Sequence, residues 1–99
     1  MTSNEDLYRM DATAVAEGIR SGAFSSREAV DACLERIEAL NPALNAITEW
    51  RAEEARAAAE AADAAVAAGR ELGPLHGVPI TIKACVDLEG WATVTQIFF

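Results

Sequence analysis

A lysine interrupts the most strand-like segment of the sequence. Lys83 follows Ile80, Thr81 and Ile82, and β-branched residues of this kind favour β-strands. Lysine is rarely fully buried without a partner, and burial favours its neutral amine over the ammonium ion. A neutral lysine amine can act as a general base or as a nucleophile. The spacing alone leaves two interpretations open: a lysine on the solvent-facing side of an edge strand, and a catalytic amine.

A turn rich in glycine and proline precedes this strand. Residues 73–79 read Gly-Pro-Leu-His-Gly-Val-Pro, and glycine and proline are strong turn formers. The turn contains the only histidine of the chain, His76. A histidine can act as an acid or a base near neutral pH. Its position between glycine and proline residues favours a packing role in the turn, and we expect that role.

The remaining reactive side chains form no metal or nucleotide motif. Cys33 and Cys85 are far apart in sequence and have no Cys-x-x-Cys spacing, so no zinc site is predicted. Both are expected to be free thiols that serve in packing. No glycine-rich phosphate loop occurs. The sequence therefore predicts neither a metal site nor a cofactor.

Two helices with clear start signals are expected ahead of the lysine. Asp11 is a candidate N-cap for a helix over residues 12–21, and Gly22 suits the left-handed position after its end. Ser25 and Glu28 have the spacing of a capping box, which predicts the start of a second helix.

Three further elements connect these helices to Lys83. The second helix is expected to end near Leu40, because Pro42 disfavours helical geometry at the residue before it. Alternating apolar residues predict a short strand over residues 44–50. Alanine, the best helix former, predicts a helix over residues 51–68, and the strand with the lysine is expected over residues 78–86.

The composition excludes several classes of partner. The chain has 16 Asp and Glu against 8 Lys and Arg, for a net charge of −8. Neutralising phosphates requires a basic patch, so we expect no nucleic-acid partner and no binding to anionic membranes. No apolar run of membrane-spanning length occurs, and the acidic start of the sequence does not resemble a signal peptide. We therefore expect a cytoplasmic protein.

Residues 73–83, GPLHGVPITIK, closely resemble the catalytic-lysine segment of the amidase signature family. Further matches extend the resemblance over about residues 7–93. Upstream, in what resembles the family's N-terminal helical region, they are Ile19–Gly22, Ser25-Ser26, Arg36–Glu38, Asn41-Pro42 and Leu44–Ala46, and downstream they are Asp87, Gly90 and Thr93.

This resemblance implies an α/β fold in which helices surround a large mixed sheet. The chain would supply the N-terminal helices and the first strands of that fold. Family members hydrolyse or transfer carboxamides through a Ser–cis-Ser–Lys triad, a variant of the catalytic triad. Lys83 matches the triad lysine, whose neutral amine accepts the nucleophile's proton through the cis-serine. The implied substrate is a small-molecule amide, and both C–N hydrolysis and the glutamine-amidase step of transamidation fit the family.

The two triad serines have no match in this sequence. Ser3 lies in the terminus, Ser21 at a helix end, and Ser25 and Ser26 in the capping box. None of them lies in a glycine-rich turn of the kind that exposes a nucleophile. We therefore expect the chain on its own to be inactive.

The sequence divides into a flexible N-terminus (1–10), the N-terminal part of an amidase domain (11–93) and a divergent apolar tail (94–99). The tail is interpreted as a truncation or a change of reading frame. An apolar, unpaired strand edge requires cover. Two alternatives therefore stay open: a non-catalytic interaction module with a protein partner over the tail, and one half of a split amidase. A free-standing, all-helical acidic domain is a third interpretation.

Overall fold

Four helices followed by two short strands make up the described part of the chain. The structure is a computed structural model and describes residues 4–45, 47, 50–82 and 96–98. In chain order the elements are α1 (Asn4–Arg9), α2 (Ala12–Ser21), α3 (Ser26–Leu44), α4 (Ala52–Ala67), β1 (Ile80–Ile82) and β2 (Gln96–Phe98). This mostly helical arrangement is compatible with part of an amidase domain. Within the described ranges, no helix has the length and apolar character that crossing a bilayer requires.

The predicted starts of α2 and α3 are confirmed by their hydrogen bonds. The Asp11 side chain accepts from the Ala14 N–H at 2.8 Å, and Gly22 ends α2 in the left-handed conformation with φ 82°. At the start of α3, the Ser25 hydroxyl accepts from the Glu28 N–H at 3.0 Å. The Ser25 N–H in turn donates to the Glu28 carboxylate at 3.2 Å, which completes the capping box.

The predicted end of α3 near Leu40 is wrong. The helix continues to Leu44 with Pro42 inside its last turn. Proline removes one backbone donor and disfavours the helical conformation before it. The Asn41 side chain offsets this cost: its amide donates to the Ile47 carbonyl at 2.7 Å, and its oxygen accepts from the Ile47 N–H at 2.9 Å. Asn45 then ends the helix in the left-handed conformation with φ 49°.

The prediction of a short strand over residues 44–50 is wrong for the residues of this range that the structure describes. Leu44 belongs to α3, Asn45 is its left-handed cap, and the Ile47 backbone is bonded to a side chain. Residues 46, 48 and 49 lie outside the described ranges. The alternation of small and apolar residues was a weaker signal than the asparagine side chain that holds this corner.

Helix α1 lies within residues 1–10, the segment expected from the sequence to be a flexible N-terminus. Leu7 is 4% exposed and packs into the core, which gives this six-residue helix a fixed place. The Arg36 guanidinium lies 4.6 Å from the centre of the Tyr8 ring, within range of a cation–π interaction. A helix this short carries too little periodicity to be recognised in sequence.

Two clusters of buried side chains form the core. The first joins the first three helices to the turn before β1, and the second lies between α3 and α4. The first contains Leu7, Val15, Ala16, Ile19, Phe24, Ala29, Ala32 and Val78, and the second contains Val30, Leu34, Ile37, Ala55 and Ala59. Helix α4 forms as predicted, and it buries only alanines, which allow its backbone to approach α3 closely.

Ion pairs on the α3–α4 surface supplement this small contact. The Asp31 carboxylate accepts from Arg27 at 2.9 Å and from Arg56 at 3.0 Å, and so bridges the two helices. Hydrogen bonds to Asp31 and then Glu53 raise the pKa of the Arg56 guanidinium above its ordinary value. Because these side chains are partly exposed, solvent screens each pair and its contribution to stability is small. The packing of the α4 alanines against α3 therefore remains the main interaction that holds the two helices together.

Of the strand predicted over residues 78–86, residues 80–82 form β1, residues 78 and 79 precede it, and residues 83–86 lie outside the described ranges. β1 pairs antiparallel with β2, with Ile80 opposite Phe98 and Thr81 opposite Ile97. The expectation of an unpaired tail is therefore wrong for residues 96–98, whose backbone completes a two-stranded sheet with β1. Partner strands satisfy each other's backbone groups, and this is the physical reason for the pairing.

Replacing Gly18 with alanine is expected to destabilise the fold by about 1 kcal/mol or more. A Cβ at Gly18 would lie 2.3 Å from two atoms of the buried Phe24 ring. Overpacking costs about 1–3 kcal/mol, while the gain in helix propensity is at most about 1 kcal/mol. Urea unfolding measures the change. Gly73→Ala is the control, because a Cβ there meets nothing within 4 Å. Equal unfolding midpoints for the two variants would contradict this account.

Candidate active site: the turn and strand before Lys83

The described part of the candidate site is the turn and strand that lead up to Lys83. Lys83 directly follows β1 in the sequence, and it lies outside the described residues. The same holds for Cys85, Asp87, Gly90 and Thr93. The geometry on which a proposal for Lys83 can rest is therefore that of residues 73–82.

Two consecutive hydrogen-bonded turns shape this segment. The His76 N–H donates to the Gly73 carbonyl, and the Val78 N–H donates to the Leu75 carbonyl, each at 3.2 Å. Gly77 has φ 79°, as the third residue of a type II turn requires. Glycine adopts this conformation without the steric cost that a side chain would add. The glycine and proline pattern therefore predicts this turn correctly.

A buried hydroxyl ties the turn to the first residue of α3. The Ser26 side chain donates to the Gly77 carbonyl at 2.6 Å, and Ser26 is 0% exposed. The two residues are in close contact, since a Cβ built on Gly77 would lie 3.0 Å from the Ser26 Cβ. The sequence places Ser25 and Ser26 together in the capping box. The structure gives the cap to Ser25 and the bond to the turn to Ser26.

The Asp63 carboxylate of α4 holds the same end of α3. One of its oxygens accepts from the Ser26 N–H at 2.7 Å and the other from the Arg27 N–H at 3.0 Å. A negative charge is favourable at a helix N-terminus, and hydrogen bonds to a charged acceptor are stronger than neutral ones. No local pattern predicts a contact between residues so far apart in sequence.

His76 makes a second contact with α4. Its Nε2 lies 2.9 Å from the Ala62 carbonyl oxygen, which can only accept, so this nitrogen carries the proton. The ring is half-buried, and this contact agrees with the expected packing role. On the other side of the turn, the buried Val78 side chain enters the first core cluster. The turn before β1 is therefore held by α3, by α4 and by the core.

Cys33 is half-buried near the start of β1. It lines a cavity of about 150 Å³ with Val78, Pro79 and Ile80, among other residues. Burial raises the pKa of the Cys33 thiol above its ordinary value of 9.0. A raised pKa reduces the thiolate fraction at neutral pH, and the thiolate is the nucleophilic form. The low thiolate fraction favours the packing role that the sequence predicts for Cys33.

Gly77→Ala is expected to destabilise the chain by about 1–3 kcal/mol more than Gly69→Ala does. Both glycines have positive φ, 79° and 70°. Only an alanine at position 77 would press its Cβ against Ser26, since a Cβ at position 69 meets nothing within 4 Å. The left-handed conformation therefore costs about the same in both variants, and the difference measures the overpacking. Chemical denaturation followed by circular dichroism measures both variants, and equal losses would argue against a tight turn–helix contact.

The stability that Cys33 contributes is expected to depend on pH. The folded-state pKa of this thiol lies above the ordinary 9.0 of the unfolded chain. Its contribution is therefore fully present below pH 9.0 and is lost as the pH rises through the folded-state pKa. The measurement is the free energy of unfolding of wild type minus that of Cys33→Ala, at neutral and at alkaline pH. The difference should shrink at alkaline pH, and a constant difference would refute the assignment.

Comparison with known proteins finds a matching family model and several much longer relatives. A family model described as Amidase matches residues 28–95. The indoleacetamide hydrolase of Bradyrhizobium diazoefficiens is 52% identical over 84 residues, which are 85% of this chain and 16% of that protein. A glutamyl-tRNA(Gln) amidotransferase subunit of Alkalilimnicola ehrlichii is 45% identical over 87 residues, 88% of this chain and 18% of that protein.

A more distant relative is the acylamidase of Rhodococcus erythropolis, which is 35% identical over 91 residues. Those residues are 92% of this chain and 19% of that protein. The chain thus spans between 16% and 19% of the length of these three relatives. No solved structure matches the chain significantly.

Proposed function

Because this chain belongs to the amidase family, we propose that it forms the lysine-bearing, N-terminal part of a domain that hydrolyses carboxamide C–N bonds. In this proposal residues 11–93 belong to that domain, and residues 94–99 are a divergent tail. The complete domain would have the family's large mixed sheet, to which β1 contributes. Its substrate would be a small-molecule amide.

The observation that carries the proposal is the place of Lys83 in the chain. The residue follows a turn and a strand that are held by the two longest helices, and it lies inside the segment that matches the family. Two of the relatives are named for the hydrolysis of amides, an indoleacetamide hydrolase and an acylamidase. Transfer of an amide nitrogen, as the name of the amidotransferase indicates, is the related activity.

The proposed chemistry makes Lys83 the end of a proton relay, where it accepts a proton and later returns it. A serine from the rest of the domain attacks the amide carbonyl and gives its proton to the cis-serine, which passes its own to the neutral Lys83 amine. The tetrahedral intermediate then expels the amine or ammonia, which takes the proton back from this relay. Water hydrolyses the remaining acyl-serine ester by the same route. The scissile C–N bond is replaced by a C–O bond, and the lysine is neutral again at the end.

The serines of this chain are not suited to the role of nucleophile. The Ser21 hydroxyl donates to the Gly18 carbonyl at 3.3 Å, Ser25 caps α3, and Ser26 is fully buried. Ser3 lies outside the described residues. A polypeptide of these 99 residues is therefore proposed to be inactive by itself. The activity requires the serines of a complete domain.

A chimera with a relative tests the role of Lys83. This chain replaces the matched segment of the Bradyrhizobium diazoefficiens indoleacetamide hydrolase, and ammonia release from indole-3-acetamide is measured. Lys83→Ala is expected to lower kcat about 10²–10⁴-fold, which is the usual contribution of a general base.

The control is Glu53→Gln, because the Glu53 side chain is 91% exposed. This variant should retain the activity of the chimera. An active chimera whose turnover is insensitive to Lys83→Ala would refute the catalytic role. A folded chimera that is inert toward indole-3-acetamide and other carboxamides would instead favour a non-catalytic module.

A further inference from the structure

We propose that Ser26 and Asp63 are positioning residues for Lys83. They form a junction in which the start of α3, the end of α4 and the turn at Gly77 are joined by hydrogen bonds. This inference rests on the proposed function of Lys83. It states that two residues outside β1 fix the position of β1, the strand that leads to Lys83. Neither residue is proposed to touch the substrate.

The first step of the argument is that every polar group of Ser26 has a partner. Its hydroxyl donates to the Gly77 carbonyl at 2.6 Å, and its N–H donates to Asp63 at 2.7 Å. Its carbonyl accepts within α3, one residue after the Ser25 carbonyl, which begins the ladder by accepting from the Ala29 N–H at 3.1 Å. Because Ser26 is 0% exposed, no water can replace a lost partner without rearrangement. The turn therefore has one favourable position relative to α3.

The second step is that the hydroxyl is not needed to cap the helix. Ser25 already caps α3 by accepting from the Glu28 N–H, and the Asp63 carboxylate accepts from the N–H groups of Ser26 and Arg27. If this position served only to fill space, alanine would suffice, since both residues are small. The distinctive contribution of the serine is its bond to the turn.

The third step is that the chain between the junction and Lys83 has little freedom. Val78 is 5% exposed and fixed in the core, and the ring of Pro79 restricts its own φ. Residues 80–82 then pair with β2 along their length. A displacement of Gly77 is therefore transmitted along the strand instead of being absorbed by a flexible loop. Catalysis is sensitive to errors of about 1 Å in the placement of reacting groups.

Asp63 determines where the start of α3 lies relative to α4. Its two oxygens accept from consecutive backbone N–H groups, so it fixes both the position and the direction of the helix start. The neighbouring Arg27 guanidinium pairs with Asp31 and Glu60, which leaves the Asp63 carboxylate to the backbone. An asparagine at this position would place a donor against one of the two N–H groups.

The test begins with the full chain and three variants. Ser26→Ala and Asp63→Asn remove parts of the junction. Val30→Ala is the matched control, because Val30 is 1% exposed and belongs to the second core cluster, away from the turn. Hydrogen exchange of the backbone amides of residues 75–82 is expected to accelerate about 10-fold in Ser26→Ala relative to the α3 amides, a loss of about 1.4 kcal/mol in local protection. Val30→Ala should accelerate exchange in α3 and α4 at least as much as in the turn.

Lys83 offers a direct spectroscopic readout, because it is the only lysine of the chain. Selective ¹³C labelling of lysine therefore gives signals of this residue alone. These signals are expected to shift or broaden in Ser26→Ala and in Asp63→Asn, and to stay unchanged in Val30→Ala. Unchanged lysine signals in both junction variants, or exchange that is no faster in the turn than in α3, would overturn the inference.

The chimera distinguishes this inference from the proposed function. In an active chimera, Ser26→Ala is expected to lower kcat about 10-fold with little change in KM, and Ser26→Thr, which keeps the hydroxyl, should recover part of the loss. An active chimera in which both junction variants retain full kcat would overturn the positioning role and leave the role of Lys83 intact. A wild-type chimera that is folded but inert would overturn the proposed function, and the positioning role with it.

Discussion

The buried hydroxyl of Ser26 connects the helical part of the chain to the turn that precedes Lys83. Its bond to the Gly77 carbonyl closes a contact between residues 51 positions apart. A buried hydroxyl without a partner is costly, and Ser26 is 0% exposed, so this bond selects one arrangement of the turn against α3. The Val78 side chain, two residues from the start of β1, is then carried into the core. The direction in which β1 leaves the helices follows from this arrangement.

The helices can hold the turn because α3 and α4 are themselves closely paired. Ala55 and Ala59 bring the two backbones near to each other, and the Asp31 carboxylate bridges Arg27 and Arg56 at the surface. Close approach is also what allows Asp63 on α4 to reach the first N–H groups of α3. The alanine-rich composition of α4 therefore serves a geometrical purpose, since larger side chains would move Asp63 out of range.

Local signals in the sequence predict local structure well in this chain. The Asp11 cap, the capping box at Ser25 and the left-handed glycine at residue 77 each involve residues within a few positions of one another. The features that were not predicted depend on contacts between residues far apart in the sequence, or on one local sequence signal overriding another. Pro42 signals the end of a helix, but the Asn41 side chain stabilises the corner beyond it. The resemblance to amidases makes Lys83 a candidate catalytic residue, whereas no local pattern indicates the hydrogen bonds of Ser26 to Asp63 and to Gly77.

The long separation between the partners at the junction has a consequence for how the chain folds. Helices and capping boxes form from neighbouring residues within about a microsecond, whereas contacts between distant residues must first overcome the entropy of closing a loop. The Ser26 N–H bonds to Asp63, which lies 37 residues away, and the Ser26 hydroxyl bonds to a turn still further along. The turn therefore docks late, onto helices that are already formed. During synthesis the helices would therefore form before β1, the strand that precedes Lys83, is in place.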